Sequence, residues 1–169
     1  MQLLIIRHAI AEDKEAFAKT GKPDSERPLT KHGRAVMARV ATGLTRQVKS
    51  INVLAASPLG RAAQTASIVA KAYDGMSVVT VDALAPKSAP ATFAGWLGTQ
   101  RDANVVAAVG HEPHLGTLIT WLISGIGESH VTLDKGGVCM LEIDGQPAAG
   151  NATLIWSLPP NVLATLAKK

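Results

Sequence analysis

The feature that most constrains the fold is an alternation of short, wholly apolar runs with longer segments whose apolar residues recur at helical spacing. The apolar runs have the length and composition of strands buried on both faces, as in parallel sheets. These predicted strands occupy residues 3–6, 51–56, 77–81 and 104–109. The predicted helices occupy residues 31–48 (with Thr30 as N-cap), 59–72, 89–100 and 113–124. Strands separated by helices imply right-handed crossovers, so the sequence predicts an α/β fold with a mostly parallel sheet.

The C-terminal part of the chain changes character. Residues 138–143 and 152–158 are apolar runs on either side of the turn-forming residues 145–147, which predicts a β-hairpin. Pro159 and Pro160 mark the start of a final short helix. We therefore expect a three-layer α/β/α sandwich whose sheet carries an antiparallel edge strand from the hairpin. With 169 residues and no linker, the chain is predicted to form one domain over residues 1–169.

Basic residues are concentrated in the first third of the chain. Ten of the 17 Lys and Arg lie between Lys14 and Arg61, against three acidic residues. The resulting net charge of +7 favours an anionic partner such as a phosphorylated group, although a solvated basic face has the same composition. Aromatic residues make up only 4%, too few for the stacking platform of a nucleic-acid-binding protein, so no nucleic acid partner is predicted. Residues 9–29 predict a long irregular loop, which in a compact domain is commonly functional.

Other features of the composition bear on cellular location. No apolar run approaches the roughly 18 residues of a membrane span, so no membrane partner is predicted. The apolar run at residues 3–6 is too short for a signal peptide and has no basic segment before it. Cys139 is the only cysteine, which excludes a disulfide framework and a thiolate metal cluster. We expect a cytoplasmic protein.

Side chains suited to binding phosphate follow three of the predicted strands. Arg7 and His8 follow the first strand, Ser57 and Arg61 follow the second, and His111 follows the fourth. Because ligands of open α/β sheets bind beyond the carboxyl ends of the strands, we expect these side chains to meet at one edge. Guanidinium groups can neutralise phosphoryl oxygens while an imidazole accepts the phosphoryl group. Each residue alone has a structural interpretation, but together they predict a phosphate site.

Two other kinds of site are poorly supported. His111 and His114 are three residues apart, whereas the histidines of a zincin helix are four apart. No further His or Cys pair completes a site, so no metal is predicted. No glycine-rich phosphate loop or dinucleotide fingerprint follows a strand, so no cofactor is predicted. The pair Gly136-Gly137 is interpreted as a turn.

Three segments resemble motifs of the histidine phosphatase superfamily, whose fold is shared with the cofactor-dependent phosphoglycerate mutases. They are residues 4–9 (LIIRHA), 57–66 (SPLGRAAQTA) and 109–113 (VGHEP). Between the first two, residues 24–30 (DSERPLT) and Gly33 resemble the small SixA-type phosphohistidine phosphatases. The resemblance implies a phosphoglycerate mutase-like fold and a phosphatase activity.

The resemblance also implies roles for individual residues. His8 would be the nucleophile that becomes phosphorylated. The residues expected to hold the phosphoryl oxygens or to line the pocket are Arg7, Ser57, Arg61 and His111. Arg27, in the long loop, would add positive charge near the entrance. Ala9 stands where the family motif has glycine, and a positive φ at this position would strain it.

Many members of the superfamily supply a glutamate general acid from the loop after the third strand. Here that loop, residues 82–88, holds no Glu, and its nearest carboxyl group is that of Asp82. Asp82 is therefore the candidate general acid, with Glu12 and Asp13 as weaker candidates. An alkoxide leaving group needs a proton from such an acid, whereas solvent can protonate the basic nitrogen of a phosphoramidate before the bond breaks. The missing Glu thus favours phosphohistidine as the substrate.

We therefore expect a metal-independent hydrolase that removes the phosphoryl group from phosphohistidine in a protein partner, through a phosphorylated His8. The connections between elements are short, and an uncovered site suits a protein substrate. The alternative within the same fold is a phosphatase or mutase that acts on a small phosphate ester such as a sugar phosphate. A non-catalytic module that binds phosphorylated proteins is a further alternative, although binding alone does not require a nucleophile.

Overall fold

One mixed sheet lies at the centre of the structure, a computed structural model that describes residues 1–168. Within these residues the strands are β1 (Gln2–Arg7), β2 (Val53–Ala56), β3 (Val78–Thr80), β4 (Val105–Gly110), β5 (Val138–Ile143) and β6 (Ala152–Leu158). The helices are α1 (Lys14–Ala18), α2 (Lys31–Gln47), α3 (Gly60–Ala72), α4 (Pro90–Leu97), α5 (His114–Ser124) and α6 (Pro160–Leu166). Short 3₁₀ turns cover Asp24–Glu26 and Asp82–Leu84. No helix among residues 1–168 is long and apolar enough to cross a membrane.

The strand order is β3-β2-β4-β1-β5-β6. The first four strands are mutually parallel, β5 is antiparallel to β1, and β6 is antiparallel to β5. The predicted mostly parallel α/β fold is confirmed. The strand that runs antiparallel to β1–β4 is β5, which lies one position in from the edge of the sheet. The edge strand is β6, the second strand of the hairpin, which pairs with β5.

Helices cover both faces of the sheet, as the three-layer prediction requires. Leu4 and Ile6 of β1 pack in one apolar cluster with α2, α3 and α6. Leu3 and Ile5 point to the other face and pack with α4 and α5. Because β1 is buried on both faces, it needs an apolar residue at each of these positions, and the sequence shows an uninterrupted apolar run instead of an alternation.

The predicted long loop between β1 and α2 contains regular structure that the sequence analysis did not identify. Helix α1 is capped by the Asp13 side chain, which accepts a hydrogen bond from Ala16 N at 2.8 Å, but the helix buries none of its residues. Without a buried face it has no apolar periodicity to detect. The loop returns to α2 at Gly33, where an added Cβ would lie 2.1 Å from the carbonyl oxygen of Ile10. Glycine is therefore required at this position to hold the loop against α2.

Candidate active site

The carboxyl ends of β1, β2 and β4 bring four of the predicted residues into one cleft. Arg7 is the last residue of β1 and His8 follows it, while Arg61 lies in the first turn of α3 and His111 follows β4. All four line a cleft of about 450 Å³. The parallel pairing continues past the strand end, since His8 N donates to the carbonyl oxygen of Gly110 at 3.0 Å. The nucleophile predicted from sequence thus lies on backbone that is fixed by its neighbouring strand.

The cleft is strongly basic. Among the described residues, six cationic side chains and two carboxylates line it, together with the two histidines. The cationic residues are Arg7, Lys14, Arg27, Arg61, Lys87 and Lys135, and the acidic residues are Asp24 and Glu112. A cleft of this composition favours an anionic ligand.

The hydrogen bonding of His8 fixes its tautomer. Its Nδ1 lies 2.7 Å from the carbonyl oxygen of Ala9. Because a carbonyl oxygen only accepts, Nδ1 carries the proton and Nε2 keeps its lone pair. The side chain is 8% exposed, and burial, followed by the nearby charges of Arg61 and Arg7, lowers the pKa of His8 to about 4. The imidazole is therefore neutral near pH 7, and its free nitrogen is Nε2.

Ala9 connects the nucleophile segment to α3 without strain. Among the described residues, Asp74 is the only non-glycine residue with a positive φ, so Ala9 does not adopt the left-handed conformation considered above. Its backbone N–H donates to Oγ1 of Thr65 at 3.1 Å, and that hydroxyl donates to the carbonyl oxygen of Arg61 at 2.7 Å. The backbone beside His8 and the backbone of Arg61 are thus linked through one buried hydroxyl.

Both arginines present unused donors. Arg7 donates through Nη1 to the carbonyl oxygen of Leu133. Arg61 donates through Nη1 to the carbonyl oxygen of Asp24 at 3.0 Å and to its Oδ2 at 3.2 Å. The Nε atoms of both arginines are buried and have no hydrogen-bond partner among the described residues. An oxyanion in the cleft would satisfy these donors.

His111 is oriented by Ser57. The Nε2 of His111 lies 2.8 Å from the hydroxyl oxygen of Ser57, and its Nδ1 is buried without a partner in the described part of the chain. The ring centroid lies 5.0 Å from that of His8. Burial, together with the proximity of His8 and Arg61, lowers the pKa of His111 to about 3. Two neutral imidazoles therefore face each other between two guanidinium groups.

Asp24 joins two cations at the entrance, a relationship that the sequence analysis did not identify. Its Oδ1 accepts from Nε of Arg27 at 2.7 Å, and its Oδ2 accepts from Arg61. Arg27 also donates through Nη1 to the carbonyl oxygen of Glu12 at 2.8 Å. The Arg27 hydrogen bond is the main cause of a lowered pKa at Asp24, so this carboxyl group is ionised near pH 7. The only sequence feature that pointed to Asp24 was the resemblance of residues 24–30 to SixA-type phosphatases.

Among residues 1–168, the candidate general acids predicted from the sequence lie outside the cleft. Asp82, the candidate general acid, is exposed in its 3₁₀ turn and is not among the residues that line the cleft, to which its loop contributes Pro86 and Lys87. Glu12 and Asp13 are also exposed and outside the lining.

Glu112 does line the cleft, but both of its carboxylate oxygens are already engaged. Oε1 accepts from the backbone N–H of Leu133 at 2.8 Å, and Oε2 accepts from that of Gly116 at 3.1 Å. These bonds tie the start of α5 to the segment that holds Arg7. Glu112 therefore has a structural function next to the site. The sequence analysis did not predict this function from the position of Glu112 after β4.

The chain belongs to the histidine phosphatase superfamily. The sequence profile of the histidine phosphatase superfamily (branch 1) matches residues 3–86, the segment that contributes Arg7, His8 and Arg61 to the cleft. An uncharacterized protein of Picosynechococcus sp. is 35% identical over 141 residues, which cover 82% of each chain. Membership of this superfamily indicates a phosphatase activity on a phosphorylated substrate.

Within the superfamily the chain is SixA-like. It matches the structure of the protein histidine phosphatase SixA complexed with tungstate with a TM-score of 0.80 and 26% identity, covering 96% of this chain and 99% of that chain. The alpha-ribazole phosphatase from Shigella flexneri matches with a TM-score of 0.74 and 20% identity, covering 95% and 97% of the two chains. This second similarity shows a shared fold alone. The family resemblance predicted from the motifs is confirmed.

Proposed function

We propose that the protein is a phosphatase that hydrolyses phosphohistidine in a protein partner by way of a phosphorylated His8. The observation that carries the proposal is the tautomer of His8, whose Nδ1–H is held by the Ala9 carbonyl while Nε2 is free within a cluster of cations. An unprotonated imidazole nitrogen is a good acceptor of a phosphoryl group, and the guanidinium groups are placed to stabilise charge on the transferring oxygens.

In the first step, Nε2 of His8 attacks phosphorus. The bond between phosphorus and Nε2 forms while the bond to the substrate nitrogen breaks. Arg7, Arg61 and His111 hold the three phosphoryl oxygens, which carry the charge of the transition state. The substrate imidazole, with its other ring nitrogen protonated by solvent, leaves as a neutral ring and takes the electron pair of the broken bond.

In the second step, water attacks the phosphoryl group on His8. The bond between phosphorus and Nε2 breaks, the electron pair returns to Nε2, and the proton of the attacking water passes to phosphate. Throughout both steps the Ala9 carbonyl retains the proton on Nδ1. Phosphorylated His8 is therefore cationic at its ring, and its departure as a neutral imidazole needs no external acid.

The choice of phosphohistidine over an alkyl phosphate ester is supported by the state of the carboxyl groups. Asp24 is ionised between two arginines, and Glu112 accepts two backbone hydrogen bonds. Neither is in a position to protonate an alkoxide, and Asp82 lies outside the lining of the cleft. The proposed leaving group is an imidazole whose other ring nitrogen already carries a proton, so it leaves as a neutral ring and does not require such a proton donor.

The test uses purified protein in EDTA with three kinds of substrate: a phosphohistidine-containing protein, an aryl phosphate and a panel of sugar phosphates. We expect rapid hydrolysis of the first two, slow hydrolysis of the third, and an acid-labile phosphoryl group on the enzyme after a rapid quench. His8→Ala abolishes turnover and labelling but still binds vanadate, whereas exposed His32→Ala behaves as wild type. Sugar phosphates hydrolysed as fast as phosphohistidine, or activity lost in EDTA, would contradict the proposal.

A further inference from the structure

The cleft holds more positive charge than one phosphoryl group requires. A phosphoryl group carries close to two negative charges near pH 7, which Arg7 and Arg61 can balance. Asp24 offsets Arg27, to which it is bonded at 2.7 Å. Three further lysines line the cleft, and we refer to Lys14, Lys87 and Lys135 as the rim lysines. Glu112, the remaining carboxylate of the lining, is bonded to backbone N–H groups.

None of the rim lysines forms an ion pair among residues 1–168, although the charge of Lys14 helps to lower the pKa of Asp24. All three side chains are exposed. The ion pairs found among residues 1–168 join only Asp24 to Arg27 and to Arg61. Grouping cations without counter-charges is unfavourable through self-repulsion, and the unpaired charges are available to attract an anionic ligand.

The rim lysines belong to three separate segments that approach the cleft from different directions. Lys87 follows β3 at one side of the strand order, and Lys135 precedes β5 on the other side of β1. Lys14 is the first residue of α1, in the loop after β1. A small phosphate ester bound by the arginines would occupy only the centre of this arrangement, whereas a polypeptide bound across the mouth would meet lysines from separate segments.

The turn that carries Lys135 is fixed to the catalytic strand. Gly136 N donates to the carbonyl oxygen of Arg7 at 3.1 Å, and Arg7 N donates to the carbonyl oxygen of Gly137 at 3.1 Å. Gly136 has a φ of +84°, a conformation that glycine adopts without strain. The turn predicted at Gly136-Gly137 is confirmed. The turn that follows Lys135 is thus hydrogen-bonded to the backbone of Arg7.

We propose that the rim lysines form a recognition surface for acidic side chains that flank the phosphorylated residue of a protein substrate. This inference rests on the proposed function and specifies its substrate class. Lysine is a flexible point charge without the fixed geometry of a guanidinium group, so the surface selects local negative charge and not a particular sequence. The selection acts on encounter and affinity, and salt weakens it because the groups are exposed.

The test compares two phosphohistidine peptides that differ only in their flanking residues, acidic in one and neutral in the other. For the wild type we expect kcat/KM to favour the acidic peptide on the order of tenfold, at roughly twofold for each exposed ion pair. The preference arises in KM and declines as the salt concentration rises from about 50 mM to about 500 mM. In the triple variant Lys14→Gln, Lys87→Gln and Lys135→Gln the two peptides become equivalent.

A matched control removes the same charge elsewhere. Lys49, Lys71 and Lys168 are exposed and do not line the cleft, so the triple Gln variant at these positions retains the preference. Equal hydrolysis of both peptides by the wild type, or a preference that survives loss of the rim lysines, overturns the inference. If an aryl phosphate is hydrolysed but neither peptide is, the proposed function fails instead. Binding of the acidic and neutral peptides to the His8→Ala protein then decides whether the rim lysines select charge.

Discussion

The Nε2 of His111 lies 2.8 Å from the Oγ of Ser57, so a hydroxyl at the end of β2 orients an imidazole at the end of β4. The two residues are 54 positions apart in the chain, and the parallel pairing of β2 with β4 brings them together. Because Ser57 engages Nε2, the other ring nitrogen of His111 is the one left to contact a ligand. In the proposed mechanism, the hydroxyl therefore acts on the phosphoryl group through His111.

Removing this hydroxyl is expected to reduce the rate moderately. Ser57→Ala deletes one buried hydrogen bond, which contributes about 1 kcal/mol, so kcat falls roughly five- to tenfold. Ser67→Ala, at an exposed position of α3, serves as the control and is expected to match wild type. Steady-state kinetics with an aryl phosphate measures the effect, and an unchanged kcat would show that Ser57 does not position His111.

Arg61 is expected to contribute much more than Ser57. Removal of a preorganised donor to the transferring group commonly costs about 10²- to 10³-fold in rate, and we expect this loss for Arg61→Ala. Arg61→Lys is expected to restore only part of it, because an ammonium group cannot donate two parallel hydrogen bonds. Arg39→Ala, at an exposed position of α2, controls for loss of charge. An Arg61→Lys variant as active as wild type would refute the bidentate contact.

We predict that Asp24 competes with an anionic ligand for Arg61. Asp24→Asn keeps the shape of the side chain but removes the carboxylate that lies 3.2 Å from Arg61 Nη1. We expect vanadate and inorganic phosphate to inhibit this variant a few-fold more strongly, a modest effect because the Asp24 side chain is 42% exposed. Asp102→Asn, also exposed, is the control. Weaker inhibition in Asp24→Asn would instead mean that Asp24 holds Arg61 in its binding position.

The position of Asp82 predicts a steep dependence on the leaving group. Because both carboxyl groups that line the cleft in the described part of the chain, those of Asp24 and Glu112, are engaged, phosphoramidates and aryl phosphates should be hydrolysed far faster than alkyl phosphates. Asp82→Asn is expected to change none of these rates, because Asp82 does not line the cleft. A selective loss of alkyl phosphate hydrolysis in this variant would assign Asp82 the role of general acid and a small-molecule substrate to the enzyme.

Three buried histidines make the stability of the fold depend on pH. Burial is the main cause of a lowered pKa at His8, His111 and His114. The unfolded chain, in which histidine has a pKa near 6.5, therefore binds more protons than the folded protein below that value. The free energy of unfolding should fall as pH drops from about 7 to about 5, by on the order of 1–2 kcal/mol for each of His8 and His111, and His114 contributes in the same direction.

Urea denaturation at several pH values measures this dependence. His8→Asn removes one of the three contributions and is expected to make the dependence shallower, while His32→Asn, at an exposed position, should leave the slope as in wild type. A free energy of unfolding that is constant between pH 7 and pH 5 would mean that the buried histidines take up protons in the folded protein as readily as in the unfolded chain.

The sequence predicted the elements whose burial is periodic or continuous. β5 and β6 are confirmed at the predicted residues, because two apolar runs around a glycine-containing turn have few other solutions. The predicted strand at 51–56 begins at Val53, and the predicted helix at 89–100 ends at Leu97. Element ends depend on single hydrogen bonds, such as that from Gly98 N to the Ala94 carbonyl, which no periodicity encodes.

The site was predictable where its residues follow strands and unpredictable where they lie in loops. Arg7 and His111 could be placed at one edge because parallel strands end together. The contact between Asp24 and Arg61 depends on how residues 9–29 fold back on α2, and that path is set by close contacts such as Gly33 with Ile10. The position of Asp82 could not be predicted for a similar reason, because it depends on the path of a loop. The loop after β3 forms a 3₁₀ turn and brings Lys87, and not Asp82, to the cleft.

The depth of β1 in the sheet has a consequence for local unfolding. Arg7 and His8 are anchored to a strand paired on both sides and buried on both faces, which makes it among the last segments expected to open and exchange its amide hydrogens. Lys14 lies on α1, which buries none of its residues. This helix is therefore among the first segments expected to unfold locally. Fluctuations that release α1 leave the phosphoryl-transfer groups assembled. The proposed selection of a partner and the proposed turnover of a phosphoryl group are therefore expected to be lost, or altered by substitution, independently of each other.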